Sequence, residues 1–247
     1  MDGFLDLISQ YNVLQAFGVN LALAALSAIG AFVLGSILAL FRISPVPSLQ
    51  AFGTSFVNIV RNTPLTILMV LGVLGIWGQL KWSFSDNFNT NFFIYATVTL
   101  AVYHSAFFCE AIRSGVNTVP LGQAEAARAI GLPFLDAARM VIFPQAIRGA
   151  ITPIGNTLIA LTKNTTVAAA ASVTEASAVM KTMIEFRPDV MISIFMTIAI
   201  GFCLIVIPIG LLTRIMSASV AGTSTRHVSR PRPGRWKSIV ELFVHTW

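Results

Sequence analysis

Charged residues are missing from long tracts of this chain. None lies between Asp6 and Arg42, between Asp86 and Glu110, or between Asp189 and Arg214. Each tract exceeds the ~20 apolar residues that a helix needs to cross about 30 Å of hydrocarbon. Two further apolar tracts, from about Phe52 to Leu80 and Ala150 to Val173, are interrupted only by Arg61 and Lys163. The pattern predicts five membrane-spanning helices, at about 14–41, 52–80, 92–112, 150–173 and 190–212. They must be helices because a backbone in lipid has to satisfy its own hydrogen bonds. In the first span Ser27, Ala31, Gly35 and Ala39 recur at every fourth position. That stripe of small residues predicts a seam where another helix approaches closely.

Composition strengthens this reading. Of 247 residues 55% are hydrophobic and only 11% charged, with a mean hydropathy of +0.79. Soluble domains carry about 25% charged residues, so a soluble enzyme, a disordered chain and a nucleic-acid binder are all excluded. Cys109 and Cys203 both lie in apolar stretches, so no disulfide framework is expected. The acidic start Met1-Asp2-Gly3 does not resemble a cleaved targeting segment.

The net charge of +6 matters less than where the bases lie. With the N-terminus outside, 11 of the 16 basic residues fall in cytoplasmic stretches: Arg42, Arg113, Arg128, Arg139, Arg148, Arg214 and the tail's Arg226, Arg230, Arg232, Arg235 and Lys237. Only Lys81, Lys181 and Arg187 fall outside, while Arg61 and Lys163 are intramembrane. The positive-inside rule then gives N-out, C-in. The resulting organisation is an external segment 1–13, a membrane domain 14–216 and a basic cytoplasmic tail 217–247. The tail either holds anionic lipid headgroups or stays solvated.

Between the third and fourth spans, residues 118–145 predict two short helices joined by a glycine. Pro120 and Pro133 suit the first helical turn, where a missing N–H costs nothing. Gly131 suits a left-handed stop after the first helix, and Pro144 should break the second. The first helix is mostly alanine, with Glu125 and Arg128 one turn apart. So small and smooth a helix fits a groove on another protein better than it builds a core.

Glu125-Ala126-Ala127, Gly131 and Ile142-Phe143-Pro144 closely resemble the EAA loop of permease subunits of ATP-binding-cassette importers. The resemblance extends to Arg61-Asn62-Thr63-Pro64-Leu65, similar to the Arg-x-Thr-Pro signature of polar amino-acid permeases. It also includes Glu110-Ala-Ile-Arg113-Ser-Gly115, the stretch Asn156 to Thr166, and Glu175, and so covers roughly residues 14–214. The wording from Gly122 to Arg128 and from Leu161 to Thr166 is most similar to glutamate-uptake permeases. Phe143-Pro144 stands where Leu-Pro is commoner, and the tail beyond Arg226 has no recognised counterpart.

The resemblance implies an all-α, five-span bundle of the type I importer kind in a bacterial cell membrane. It implies a loop (Gly122, Glu125, Ala126, Ala127, Arg128, Gly131, Pro144) that couples the bundle to ATPases. It also implies two ATP-binding subunits, a second and different permease chain and an external substrate-binding protein, beside membrane lipids. No Gly-x-x-x-x-Gly-Lys-Ser/Thr loop is present, so ATP and Mg are expected to be used by the partners and no cofactor by this chain.

A charge at bilayer depth costs about 2.5–3.5 kcal/mol on insertion scales and is normally paired or faces a polar cavity. Arg61 and Lys163 face one peripheral acid, Glu110, leaving a positive surplus that a substrate carboxylate could neutralise. Pro64 removes a backbone hydrogen bond and predicts a broken helix near Asn58 to Pro64, a geometry transport sites use. With Asn62, Thr63, Asn156 and Thr165 as neutral partners, these residues form the expected substrate path. The alternatives stay open: Arg61 pairs with Glu110 or with helix-end carbonyls, and Lys163 snorkels to an interface. Glu110 and Glu175 are read as gate or structural charges, and His104 as a packing residue.

The expected function is therefore ATP-driven import of a polar amino acid, glutamate first, glutamine or arginine as alternatives. An ATP-independent channel or carrier is the competing reading. An enzyme has little support, with no Gly-x-Ser-x-Gly, no His-Glu-x-x-His and no convergent metal-ligand set.

Overall fold

A computed structural model of the chain describes residues 8–222. All its regular elements are helical. They are α1 (Val13–Ile43), α2 (Pro47–Asn62), α3 (Leu65–Val70), α4 (Phe88–Val116), α5 (Leu121–Ala129), α6 (Phe134–Ala137), α7 (Phe143–Gly149), α8 (Ile151–Asn164), α9 (Ala176–Phe186) and α10 (Met191–Gly222). Wider π turns follow α3 (Leu71–Gln79) and α6 (Ala138–Ile142), and tighter 3₁₀ turns follow α8 (Thr165–Ala171) and α9 (Pro188–Val190). The predicted basic tail from residue 223 on and residues 1–7 of the N-terminal segment lie outside the described residues.

Three helices, α1, α4 and α10, are long and apolar enough to cross a membrane, and a fourth span is formed if α2 and the helix from Leu65 to Gln79 count together. The second predicted span is thus not one rod. Helix α2 ends at Asn62, and Pro64 adopts an extended backbone (φ −60°, ψ 131°) before α3 begins. Proline disfavours helical conformation in the residue before it and cannot donate to the preceding turn, so the chain stops there. At this helix end Asn62 Nδ2 donates to Asn58 O at 2.7 Å. The fourth predicted span is α8 continued by a 3₁₀ turn, and the polar stretch before the fifth contains a helix, α9, that periodicity did not reveal.

The described chain forms two compact units. One takes residues up to Gly30, Thr63–Val102 and Leu158–Ile209; the other takes Ala31–Asn62, Tyr103–Thr157 and the chain from Gly210. In the first, Val13, Ala16, Ala176, Val179, Met183, Ile194 and Ile198 form a buried cluster. Phe17 meets Phe202 edge-on at 5.4 Å. Ser27 Oγ donates to Thr97 O at 3.1 Å, and a Cβ on Gly30 would stand 3.1 Å from Ala101 Cβ.

The second unit is built on Leu38, Ala39, Val57, Val60, Cys109, Ile112, Val116, Ala124, Ile142 and Ala146. Here a Cβ on Gly35 would fall 2.7 Å from Phe108 Cβ and 2.8 Å from Ser105 O. The small-residue stripe of α1 is therefore a seam against α4 in both units, as its spacing predicted. Large apolar side chains along α10, including Ile192, Leu204 and Ile215, remain exposed, the expected state of a surface solvated by lipid.

Candidate functional site

The predicted loop is mounted on the second unit. Pro120, with φ −61° and ψ 134°, precedes α5 as its cap rather than occupying its first turn, and Pro133 does the same for α6. Helix α5 turns Ala124 and Ala127 into the core and leaves Glu125 and Ala126 exposed, with Arg128 half-buried. It ends at Gly131, whose φ is +79°. Gly131 N donates to Arg128 O at 2.9 Å and Leu132 N to Ala127 O at 3.1 Å. These paired bonds are the Schellman arrangement, which needs a left-handed residue and therefore favours glycine. Gly122 is exposed, with open space around its Cα.

Pro144 does not end the second helix as expected. It sits in the first turn of α7, where the π turn Ala138–Ile142 returns to α-helix. The wider turn accommodates the missing donor, and Gln145 Nε2 binds Val141 O at 2.9 Å. The loop then docks on the end of α4 through glycines. A Cβ on Gly115 would overlap Ala146 O, and one on Gly149 would overlap Thr118 Oγ1. Ala124, Ile142 and Ala146 join the same buried core as Val57 and Ile112.

At the foot of α4 a single carboxylate gathers three arginines. Glu110 Oε1 accepts from Arg42 Nη1 at 2.5 Å, Oε2 accepts from Arg113 Nε at 2.9 Å, and Arg61 Nη1 stands 3.7 Å from Oε1. The Arg42 side chain is 10% exposed and that of Arg61 44%. Arg61 also lies 5.7 Å above the Phe107 ring, within cation–π range. The positive surplus predicted around Glu110 is present, but Arg42 and Arg113, not Lys163, accompany Arg61 in it. Lys163 is exposed in the last turn of α8 and makes no ion pair among the described residues.

The other expected path residues divide between the units. Asn58, Asn62 and Asn156 are exposed in the unit that holds Arg61, with the Asn62 side chain committed to its helix end. Thr63 and Pro64 mark the break, and Pro64 O accepts Ile67 N at 3.0 Å. Thr165 is fully buried in the other unit, its hydroxyl donating to Thr162 O at 2.7 Å and accepting Asn20 Nδ2 at 2.9 Å.

Glu175 is also fully buried. Its carboxylate caps α9 through Ser177 N and Ala178 N, each at 2.9 Å, and takes further bonds from Asn20 Nδ2 and the Ser177 hydroxyl. Asn20 completes the ring by accepting Ala176 N at 2.9 Å. The sequence did not single out Asn20; a carboxamide in a largely apolar span was the only signal. Nearby, Asn12, Gln15, Asn89, Thr90 and Thr174 add polar groups to an uncharged, mainly apolar cleft of about 490 Å³ that Val19, Phe93 and Val179 also line. His104 is buried against Tyr103, with ring centres 5.1 Å apart. Among the described residues no cluster of His, Cys, Asp and Glu could hold a metal.

Residues 31–222 match the family described as binding-protein-dependent transport system inner membrane component. The chain belongs to this family. It is 45% identical over 205 residues to the glutamate transport system permease protein GluC of Corynebacterium efficiens, covering 81% of this chain and 90% of that one. It is 36% identical over 167 residues to the probable glutamine ABC transporter permease protein GlnM of Bacillus subtilis, 68% of each chain. A solved structure titled as an amino acid ABC transporter with histidines superposes with a TM-score of 0.74 at 22% identity, over 87% of this chain and 98% of that one, a likeness of fold. The protein is thus a multi-pass membrane permease component and not an enzyme.

Proposed function

We propose that this permease forms the translocation path of an ATP-driven importer of a polar amino acid, glutamate first. Its resemblance to glutamate permeases at 45% identity supports the substrate class. Five N-out, C-in spans supply the path, the residues from Leu65 to Gln79 and from Ile151 to Ala171 completing the three long helices. Two ATPases bind the loop 118–145, a second and different permease chain completes the bundle, and an external binding protein delivers substrate.

The observation that carries the coupling role is the exposed, alanine-lined α5 stopped by the left-handed Gly131 and packed onto the core of the spans. A rigid helix joined by packing to α2 and α4 converts the closing of two ATPases into a tilt of those helices, as alternating access requires. ATP and Mg belong to the partner subunits in this scheme. Arg61, exposed and only loosely held by Glu110, takes a carboxylate of the passing substrate, with Asn58, Asn62 and Asn156 of the same unit as further contacts.

The test is ATP-dependent uptake of radiolabelled glutamate by the co-expressed complex, with competition by unlabelled glutamate, glutamine and arginine. Competition by glutamate alone supports the reading. Stronger competition by glutamine or arginine reassigns the substrate, and flux through the isolated chain without ATP overturns the coupling.

A further inference from the structure

The three arginines around Glu110 are not held alike. Arg42 is short and nearly buried, and Arg113 reaches the other carboxylate oxygen from one turn along the same helix. Arg61 comes third, 3.7 Å from an oxygen that already accepts Arg42, beyond hydrogen-bond length and with nearly half its side chain exposed. Its guanidinium otherwise rests over Phe107, an uncharged support. One carboxylate and three guanidiniums leave two positive charges uncompensated within this group.

We propose that Glu110 is an exchangeable counter-ion: it parks Arg61 at rest and yields it to the carboxylate of the substrate. This rests on the reading of Arg61 as a substrate contact given above. Arg42 and Arg113 make the exchange possible. When Arg61 turns away, Glu110 keeps two charge-assisted partners, so no half-buried carboxylate is left unpaired, which would be costly. When substrate leaves, Glu110 takes Arg61 back. Swapping one carboxylate for another keeps the charge balance at Arg61 nearly level, so substrate is recognised without being trapped. A transport path requires that, because only interactions differing between states bias the cycle. Glu110 is in this sense a positioning residue that competes for Arg61 and does not itself touch the substrate.

The experiment measures equilibrium binding of radiolabelled glutamate to the purified permease–ATPase complex in nanodiscs without the external binding protein, together with uptake turnover in proteoliposomes that include it. Glu110→Gln is expected to lower the dissociation constant for glutamate several-fold and to slow turnover, because Arg61 loses its competing partner. The double variant Glu110→Gln with Arg42→Gln, which retains the net charge of the cluster, is expected to show the same tightening. Unchanged or weaker glutamate binding in an assembled Glu110→Gln or double variant overturns the exchange. Failure of both variants to assemble makes Glu110 a purely structural counter-ion and also overturns it. The underlying reading fails separately, if Arg61→Ala binds glutamate as the parent does or if the parent complex binds none.

Discussion

Asn20, on the first span, and Glu175, at the cap of α9, are hydrogen-bonded at 2.9 Å although 155 positions apart in the chain. Asn20 holds three things at once: the Glu175 carboxylate, the Ala176 N–H and the Thr165 hydroxyl. A buried carboxylate is tolerated only when its hydrogen bonds are made, and here neutral donors make them.

Asn20→Ala removes one donor from a charged acceptor and strands a buried N–H. Each such loss costs about 1–3 kcal/mol. The thermal midpoint of the detergent-purified protein should fall clearly, and Asn20→Asp, which adds a second carboxylate beside Glu175, should fall further. A midpoint equal to the parent's in both variants would remove this network from the account of stability.

The α1–α4 seam predicts a position-dependent cost for alanine. Gly35→Ala places a methyl against Phe108 Cβ and Ser105 O at 2.7 and 2.8 Å, whereas nothing lies within 4 Å of a Cβ on Gly18. Overpacking costs about 1–3 kcal/mol. Gly35→Ala should therefore lower the yield of folded protein and its melting temperature, while Gly18→Ala leaves both intact. Equal behaviour of the two would contradict the close approach.

Gly131 separates backbone conformation from space. A Cβ there meets nothing within 4 Å, yet φ is +79°. A β-branched residue pays about 1–2 kcal/mol in the left-handed region, and asparagine tolerates it better. Gly131→Val should abolish ATP-coupled uptake with membrane insertion preserved, and Gly131→Asn should restore part of the uptake. Normal uptake by the valine variant would show that the left-handed stop is dispensable for coupling.

Arg187 and Asp189 form an exposed bidentate pair at 2.8 and 2.7 Å. Hydrogen bonding to Arg187 holds the Asp189 carboxyl below its usual range. A carboxyl lowered on folding adds stability above its unfolded pKa, and that gain is lost as pH falls through the lowered value. Any stability difference between the parent and Asp189→Asn should be small at neutral pH, because both groups face solvent, and should vanish on acidification. A difference that grows toward low pH would reverse the assigned sign.

The break at Pro64, the left-handed Gly131 and the α1 stripe were legible because each depends on one residue's stereochemistry or on a helical repeat. The same local logic misjudged Pro144, since proline ends a helix only where the turn cannot widen, and here a π turn does so. Helix α9 was missed because its capping group, Glu175, is not among the usual short cap residues and its stretch carries Lys181 and Glu185. At the candidate site Arg61 and Glu110 could be named from the scarcity of charge in apolar tracts, but Arg42 looked like a boundary residue.

What the sequence alone determined is the solvent and the element type. Charge-free tracts demand lipid, lipid demands helices, and Pro120, Gly131 and Pro133 mark where the first loop helix starts and stops and where the second starts. What only the tertiary structure decided is which polar groups share a partner: Arg42 with Glu110 at a separation of 68 positions, and Asn20 with Glu175 at 155. The reason is physical. Helix formation and stopping depend on the nearest turns, whereas the pairing of distant polar groups follows from which helix faces pack together, and many distant partners are compatible with one local pattern.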